Sequence, residues 1–302
     1  MNITDKIYQN RKLETWVENR TSNALNNAEM HIFETHQTEN NFLLKFRHPV
    51  LVSMFEGKKV MHLKGMDSFD FLPGDSLILP ANELMTVDFP EASLNTPTKC
   101  LAMTISEEMI RKTIDDMNEK RAKIDGEWEL KDYNFHFTND MAIHQIIERL
   151  LFLFTENHPS KDIFADFMLR ELIIRILQKE TKSQLIKDSK SLAANNRLAF
   201  VINYIQQNLD KNLTIKELSD KACMSESHFY RVFKNELDLS PIDFINNERV
   251  KLATELLKDP KKQIKEIYME CGFNSLSYFN RVFKRIELIS PKEYKIRTTT
   301  GE

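Results

Sequence analysis

Two clusters of basic and hydrogen-bonding side chains repeat one another at a spacing of 50 positions, Arg231 to Arg281. The first comprises Ser227, His228, Tyr230, Arg231 and Lys234, and the second Leu276, Ser277, Asn280, Arg281 and Lys284. On a helix, Ser227, Tyr230, Arg231 and Lys234 share one face, and so do Ser277, Asn280, Arg281 and Lys284. An arginine fork can donate two hydrogen bonds to one guanine edge, and a leucine can touch a thymine methyl. Lysine can neutralise a phosphate without reading sequence. Nothing comparable points to catalysis. His31, His36, His48 and His62 are scattered without metal-ligand spacing, and no nucleophile–base pair is evident. The expectation is therefore no catalytic residue, no metal and no cofactor.

The elements that would position these clusters also come in pairs. Leu213–Lys234, LTIKELSDKACMSESHFYRVFK, returns as Gln263–Lys284, QIKEIYMECGFNSLSYFNRVFK. Each copy reads as a short helix, a turn of three or four residues and a second helix. Thr214 with Glu217 has capping-box spacing. The first break is Cys223-Met224-Ser225, with Ser225 placed to cap the next helix. The second holds Gly272, which tolerates positive φ, then Phe273 and a cap from Asn274 or Ser275. Phe229, Val232 and Phe233 would face inward in the first copy, and Phe279, Val282 and Phe283 in the second. An apolar inner face with Arg, Lys and small polar groups outside fits a helix-turn-helix recognition helix. One copy alone would read as readily as a helical hairpin with a solvated basic face; the repeated outward Arg favours the former.

Around the repeat, Arg197–Leu209 has the apolar spacing of a first helix. Ser240-Pro241 opens a helix running to about Leu257, with Phe244, Ile245, Val250, Ala253 and Leu256 as its core. Asp259-Pro260 ends it. Seventeen residues at 1.5 Å each make a rod of roughly 25 Å. Such a rod could place two recognition helices in successive major grooves, about 34 Å apart.

The two copies and the segment Gly272-Phe273-x-Ser275-x-Ser277-Tyr278-Phe279-x-Arg281-x-Phe283-Lys284, closed by Ser290-Pro291-Lys292-Glu293-Tyr294, resemble the AraC/XylS family of bacterial transcription regulators. The resemblance covers about residues 196–297. One departure is Cys223, where the first unit of the family usually has Gly, and only local adjustment of the turn is expected. The resemblance implies base-edge contacts from Ser227, Tyr230, Arg231, Leu276, Ser277, Asn280 and Arg281. It implies phosphate contacts from Thr214, His228, Lys234, Lys284 and Ser290.

The first half has a different texture. Between Met30 and Ile105, short runs rich in β-formers alternate with turn signals such as Glu56-Gly57, Lys64-Gly65 and Pro73-Gly74-Asp75. Such punctuation argues for a barrel or sandwich. The runs are His31–Phe33, Phe42–Phe46, Val50–Phe55, Lys59–Leu63, Ser76–Leu79 and Cys100–Ile105. Gly57, Phe69–Phe71, Pro73-Gly74-Asp75 and Pro80 look like the second half of a cupin barrel. With Phe89-Pro90-Glu91-Ala92-Ser93, Pro97 and Leu169-Arg170-Glu171-Leu172, this is similar to the sensor domain ahead of some AraC-type DNA-binding domains. Helices are expected over Glu107–Asn118, Asn139–Glu156 and Lys161–Glu180, the last with Phe164 and Phe167 on its apolar face. They would either cover one side of the barrel or form a homodimer interface. Met1–Glu29 reads as an arm with a short amphipathic helix. Glu119–Thr138 reads as a polar stretch anchored by Trp128, Tyr133 and Phe135.

Composition bounds the whole. The 302 residues, 41% hydrophobic, suffice for two domains with real cores. Net charge is −3, but from Ser191 onward there are 18 Lys and Arg against 15 Asp and Glu, while the earlier residues hold 24 against 30. Positive charge thus gathers where the repeat lies, and the local face is what attracts phosphate. Cys100, Cys223 and Cys271 show no C-x-x-C spacing and read as buried reduced thiols of a cytoplasmic chain. Neither a signal pattern nor an apolar run of membrane length is present.

The fold expected is α+β: a cupin-like sensor and dimerisation domain over 1–182, a linker over 183–196 and a DNA-binding domain over 197–297. The resemblance implies a cytoplasmic regulator, by family habit an activator, that binds double-stranded promoter DNA, RNA polymerase and a small-molecule effector and forms a homodimer. Which barrel residues would line an effector site depends on strand register, since a one-residue slip reverses the face. Phe33, Arg47, Met54, His62 and Met85 are candidates among which register must decide. A cupin-type enzyme tethered to DNA, and a regulator controlled by a partner protein, stay open as alternatives.

Overall fold

The structure is a computed structural model that describes residues 14–130, 135–194 and 196–300. The chain divides into two compact units, residues 1–120 with 128–177, and residues 121–127 with 178–302.

Among the described residues, the first unit carries ten strands in two antiparallel sheets: β1 (Asn19–Leu25), β2 (Ala28–Thr35), β3 (Glu39–Lys45), β4 (Val50–Glu56), β5 (Lys59–His62), β6 (Phe69–Phe71), β7 (Asp75–Leu79), β8 (Leu84–Phe89), β9 (Thr98–Ile105) and β10 (Phe135–Thr138). One sheet has the order β1-β2-β9-β4-β7-β10 and the other β3-β8-β5-β6. Side chains alternate along a strand, so the larger sheet offers two faces. Val50, Val52, Met54, Leu77, Cys100 and Ala102 pack with Met61, Phe71, Met85, Val87 and Phe89 of the smaller sheet. Leu51, Leu101 and Met103 turn the other way, toward helices. Burial on both faces explains why β4 reads as the nearly unbroken apolar run Val50–Phe55.

Those helices are α1 (Glu107–Lys120), α2 (Met141–Thr155) and α3 (Lys161–Lys187). Ile143, Ile146, Ile147, Leu150, Leu151 and Phe154 of α2, with Leu169, Leu172 and Ile176 of α3, cover the larger sheet. Of the two roles expected for these helices, covering the sheet is the one this packing shows. Phe164 and Phe167 depart from expectation: they lie on the outer side of α3, Phe167 69% exposed, because Ala165, Leu169 and Leu172 face the sheet. Trp128 is buried against α1 and α3, and its backbone exchanges two hydrogen bonds with the Asn118 amide at 2.7 and 3.1 Å.

Strands β1, β8 and β10 lie where no strand was expected, because Asn, Thr, Ser, Asp and His fill their outward positions. The stretch expected to be an arm with a helix carries β1, paired along its length with β2; its first 13 residues lie outside the described ones, as does Tyr133. The polar stretch before Asn139 ends in β10, which pairs with β7.

The second unit is helical. The last turns of α3 run on to Lys187, then follow α4 (Ser189–Leu192), α5 (Arg197–Gln207), α6 (Ile215–Lys221), α7 (Glu226–Leu237), α8 (Pro241–Leu257), α9 (Ile264–Glu270), α10 (Leu276–Glu287) and α11 (Pro291–Thr300). The stretch read as a linker is therefore helical over most of its length, and Leu185 joins the core of this unit. That core gathers α5, α6, α7 and the first half of α8 around Phe229, Phe233 and Phe244. A second gathers α9, α10 and the second half of α8 around Val250, Phe279 and Phe283. α8 is thus shared between two helix-turn-helix cores.

The paired turns show a contrast. Cys223 takes φ +54° and Gly272 φ +77°, the same left-handed region. Cys223 is exposed, against the expectation that all three thiols are buried, because its turn projects into solvent. A Cβ on Gly272 would lie 2.0 Å from the Leu209 carbonyl oxygen. Gly272→Ala should therefore lose more than about 3 kcal/mol, since strain and a backbone clash act together. Cys223→Gly should be neutral or gain up to about 1 kcal/mol, as left-handed strain is relieved. Urea denaturation of both variants checks this pair; equal effects at the two turns would contradict it.

Candidate nucleic-acid interface

Each recognition helix begins on a side-chain cap that the sequence dictates. The Ser225 hydroxyl accepts from the His228 amide (3.3 Å) and starts α7; the Ser275 hydroxyl accepts from the Tyr278 amide (3.2 Å) and starts α10. Of the two caps weighed for the second copy, Ser275 is the one used. The supporting helices are capped likewise, by Thr214 on the Glu217 amide (3.2 Å), Ser240 on the Asp243 amide (3.1 Å) and Ser290 on the Glu293 amide (3.2 Å). Glu293 returns a bond to the Ser290 amide at 2.8 Å, completing a capping box. In the first copy, by contrast, the Glu217 carboxylate accepts the Tyr204 hydroxyl at 2.6 Å, which ties α6 to α5.

Caps fix where each helix starts, and the aromatic core fixes how it is rolled. Phe229 and Phe233 are fully buried, as are Phe279 and Phe283. Their rings meet edge-on at 5.4 Å and 5.6 Å between centroids. Val282 is buried with them, whereas Val232 is only half-buried. With that face inward, Ser227, Tyr230, Arg231 and Lys234 are exposed on α7, and Leu276, Ser277, Asn280, Arg281 and Lys284 on α10. Thr214 is exposed; His228 and Ser290 are half-buried. The fold thus brings the seven expected base contacts, with Lys234 and Lys284, onto two outward helix faces, while Thr214 and Ser290 sit at the starts of α6 and α11.

Both arginines are braced by the residue three positions earlier. Arg231 Nη2 donates to His228 Nδ1 at 3.0 Å, which places the ring proton of neutral His228 on Nε2. The Arg281 guanidinium lies over the Tyr278 ring, 5.2 Å from its centroid. A guanidinium held extended loses less freedom when it pairs with a planar acceptor.

Other side chains tie the two helix-turn-helix units together. Arg249 of α8 donates from Nε to the Leu209 carbonyl (3.0 Å) and from Nη2 to the Lys211 carbonyl (2.7 Å), and it stacks near Phe273. Asn246 donates to the Tyr278 hydroxyl at 3.0 Å, and Arg285 of α10 pairs with Asp243 at 3.2 Å. Sequence reasoning missed these residues, since each looks like an ordinary polar position on an amphipathic helix. Only the repeat of Arg or Asn at successive turns of α8, Asn246 and Arg249, carries a faint signal.

Residues 121–127 form a further surprise, for they pack with the second unit. The Ile124 amide donates to Glu236 of α7 at 3.0 Å, Arg121 reaches Asn235 at 3.3 Å, and Asp125 pairs with Arg197 at 3.1 Å. Glu236 is almost wholly buried.

Comparison with known proteins places this arrangement. The family described as AraC-type transcriptional regulator N-terminus matches residues 27–184, and a helix-turn-helix domain family matches residues 218–297. The chain belongs to the AraC-type transcriptional regulators. Among curated relatives, the probable transcriptional regulator LumQ of Photobacterium leiognathi is 30% identical over 162 residues, 54% of this chain and 63% of that protein. The arabinose operon regulatory protein of Escherichia coli is 27% identical over 135 residues, 44% of each chain. The chain therefore spans about half the length of the curated relatives it matches. Among solved structures, ToxT of Vibrio cholerae is 15% identical with a TM-score of 0.39, covering 89% of this chain and 98% of that one. The DNA-binding domain of AdpA in complex with a target DNA is 25% identical with a TM-score of 0.34, covering 35% and 96%. Among the described residues, no helix is long and apolar enough to cross a membrane, and no group of three His, Cys, Asp or Glu could hold a metal ion.

Burial raises the Glu236 carboxyl above the ordinary glutamate value of 4.5, against the Ile124 amide that favours its charge. A carboxyl whose folded pKa is raised contributes stability below its unfolded pKa and loses it as pH climbs through the folded one. Glu236→Gln keeps the acceptor for Ile124 and removes the ionisation. This AraC-type chain should then melt higher as the variant than as wild type at pH 7, with the gap closing as pH falls toward 4.5. Thermal melts across that range check the sign; a gap that grows on acidification would contradict it.

Proposed function

We propose that this AraC-type chain is a one-component transcription regulator, an activator, whose second unit binds double-stranded promoter DNA at two boxes. The observation that carries the reading is the pair of capped helices, α7 and α10, each presenting an exposed arginine braced by its i−3 neighbour. Arg231 and Arg281 read guanines, with Ser227, Tyr230, Leu276, Ser277 and Asn280 contacting neighbouring base edges. Thr214, His228, Lys234, Lys284 and Ser290 hold the backbone phosphates and set the register. Because α8 belongs to both cores, one chain addresses a non-palindromic site.

Residues 1–182 form the sensor and dimerisation domain, a cupin-like barrel that takes a small molecule, and 197–297 form the DNA-binding domain. The homodimer is built on α3, where Ile163, Phe164 and Phe167 leave an apolar strip exposed. The protein works in the cytoplasm and contacts RNA polymerase at its promoters.

The test begins with selection of binding sites from random duplexes, followed by affinity measurement on the selected site. Arg231→Ala and Arg281→Ala should each weaken binding by roughly 5- to 150-fold and relax the base preference in one box only. Lys284→Ala should weaken all sequences alike and lower the salt slope by about 1. Light scattering on the same preparations should give twice the chain mass for wild type and the single mass for Phe167→Glu. No selected motif, or motifs indifferent to both arginines, would overturn the DNA-binding reading; an unchanged mass would overturn the dimer alone.

A further inference from the structure

The interior of the first unit holds a buried charge, the ammonium of Lys59. Lys59 of β5 is 4% exposed, and its ammonium lies 4.9 Å from the Phe89 ring centroid. It donates to Cys100 Sγ of β9 at 3.1 Å and to Glu18 Oε1 at 2.8 Å. Burial opposes the charge on Lys59, but Cys100 and the Glu18 carboxylate beside it keep its pKa above the ordinary lysine value. Burial pushes the Cys100 thiol up to about 11, so the ion pair of Lys59 is with the Glu18 carboxylate. A buried ion pair is seldom more stabilising than apolar side chains of the same size. Its presence beside Phe71, its cross-strand neighbour, and the Phe89 ring therefore asks for another reason.

Glu18 differs from the groups around it. It lies outside the strands, directly before β1, in a left-handed conformation with φ +52°. The side chain, 6% exposed, reaches in from the segment 14–18, and Thr35 Oγ1 accepts from its amide at 3.0 Å. Thr98, the cross-strand partner of Thr35, has a buried hydroxyl with no hydrogen-bond partner among the described residues. Lys59 is thus held by Cys100 and Phe89 of the sheets, while its carboxylate partner comes from the left-handed residue directly before β1. Any molecule that enters there must replace that carboxylate, because an unpaired ammonium in an apolar interior is far costlier than a paired one.

We propose that Lys59 is the anion-receiving group of this interior, and that Glu18 occupies the position which the carboxylate of a small-molecule ligand takes. The ligand class is a carboxylate with an apolar body, the acid group on Lys59 and the body against Met54, Phe71 and Phe89. Thr35, whose hydroxyl lies 3.5 Å from Glu18 Oε1, is a donor at the same end. This rests on the reading of the first unit as a small-molecule sensor and names the chemistry it senses.

The test uses the full chain and propionate, which carries the CH2–COO− group that Glu18→Ala removes together with one further methyl, the start of the ligand's apolar body. Propionate should raise the melting temperature of Glu18→Ala saturably, and at least tenfold more tightly than it acts on wild type, where Glu18 competes. Propionamide, its uncharged counterpart, should not, and Glu18→Ala/Lys59→Met should lose the response. If Glu18→Ala folds only with propionate present, that outcome also supports the site. If it folds under neither condition, Glu18→Gly, which suits the left-handed conformation at this position, takes its place and should be stabilised by propionate over propionamide. Equal effects of acid and amide, or a response that survives Lys59→Met, would overturn the proposal. Affinity of the same preparations for the selected duplex separates the two readings. A failed propionate response with intact DNA binding removes the anion site alone, whereas absent DNA binding in wild type removes the regulator.

Discussion

The backbone at Gly272 runs so close to the Leu209 carbonyl that no side chain fits between them, and Arg249 holds the two together from above. This contact joins the turn of the second helix-turn-helix to the end of α5, the first helix of the other. Its chemistry is spare: one residue without a Cβ, one guanidinium and two carbonyls. The carbonyls belong to Leu209 and Lys211, in the loop that follows α5, and Arg249 satisfies them while its guanidinium rests near Phe273. Asn246 with Tyr278 and Asp243 with Arg285 repeat the same logic along α8. Three residues of α8, Asp243, Asn246 and Arg249, thereby tie two small cores into one register. Without them α8 would be a rod with a reader at each end, free to bend where the cores part.

Much of this was legible in the residues, and the reason is repetition. A motif that occurs twice with the same caps, the same Phe spacing and the same outward Arg carries more information than either copy. Helix α8 was read correctly from Pro241 to Leu257 because Ser-Pro opens it and Asp-Pro closes it. The sheet faces were harder. β8, Leu84-Met85-Thr86-Val87-Asp88-Phe89, alternates in burial, but it follows Pro80-Ala81-Asn82 without a run of β-branched residues to mark it. β10 lies within a polar stretch and is defined by pairing with β7, which no local pattern announces. Phe164 and Phe167 fell on an apolar face by count, yet α3 is rolled so that small Ala165 meets the sheet and the rings point outward.

What stayed invisible are pairs made by distant residues. Glu18 and Lys59 are 41 positions apart, and Ile124 and Glu236 are 112 apart. Neither pair has a spacing that a helix or strand would mark. Both place a charged group where solvent is excluded, and the energetic cost of that placement makes them informative. A surface carboxylate needs no explanation. A buried one has either a partner that fixes it or a task that needs it. Glu236 has a single backbone amide from residues 121–127, and Lys59 has a single carboxylate from the segment before β1. In each case the partner comes from an irregular segment, whose own position is thereby coupled to a charge inside a core.

The central claim is that the two recognition helices are held in one register by α8 and its contacts. The most direct measurement takes the selected two-box duplex and inserts 5 or 10 base pairs between the boxes. The fixed register predicts that 5 base pairs, which turn the second box to the opposite face of the DNA, reduce affinity to that of a single box. It predicts the same for 10 base pairs, since the face is restored but the separation grows by about 34 Å. Full affinity on the 10-base-pair insertion would contradict the account, for it would mean that the two units bind as readers on a flexible tether.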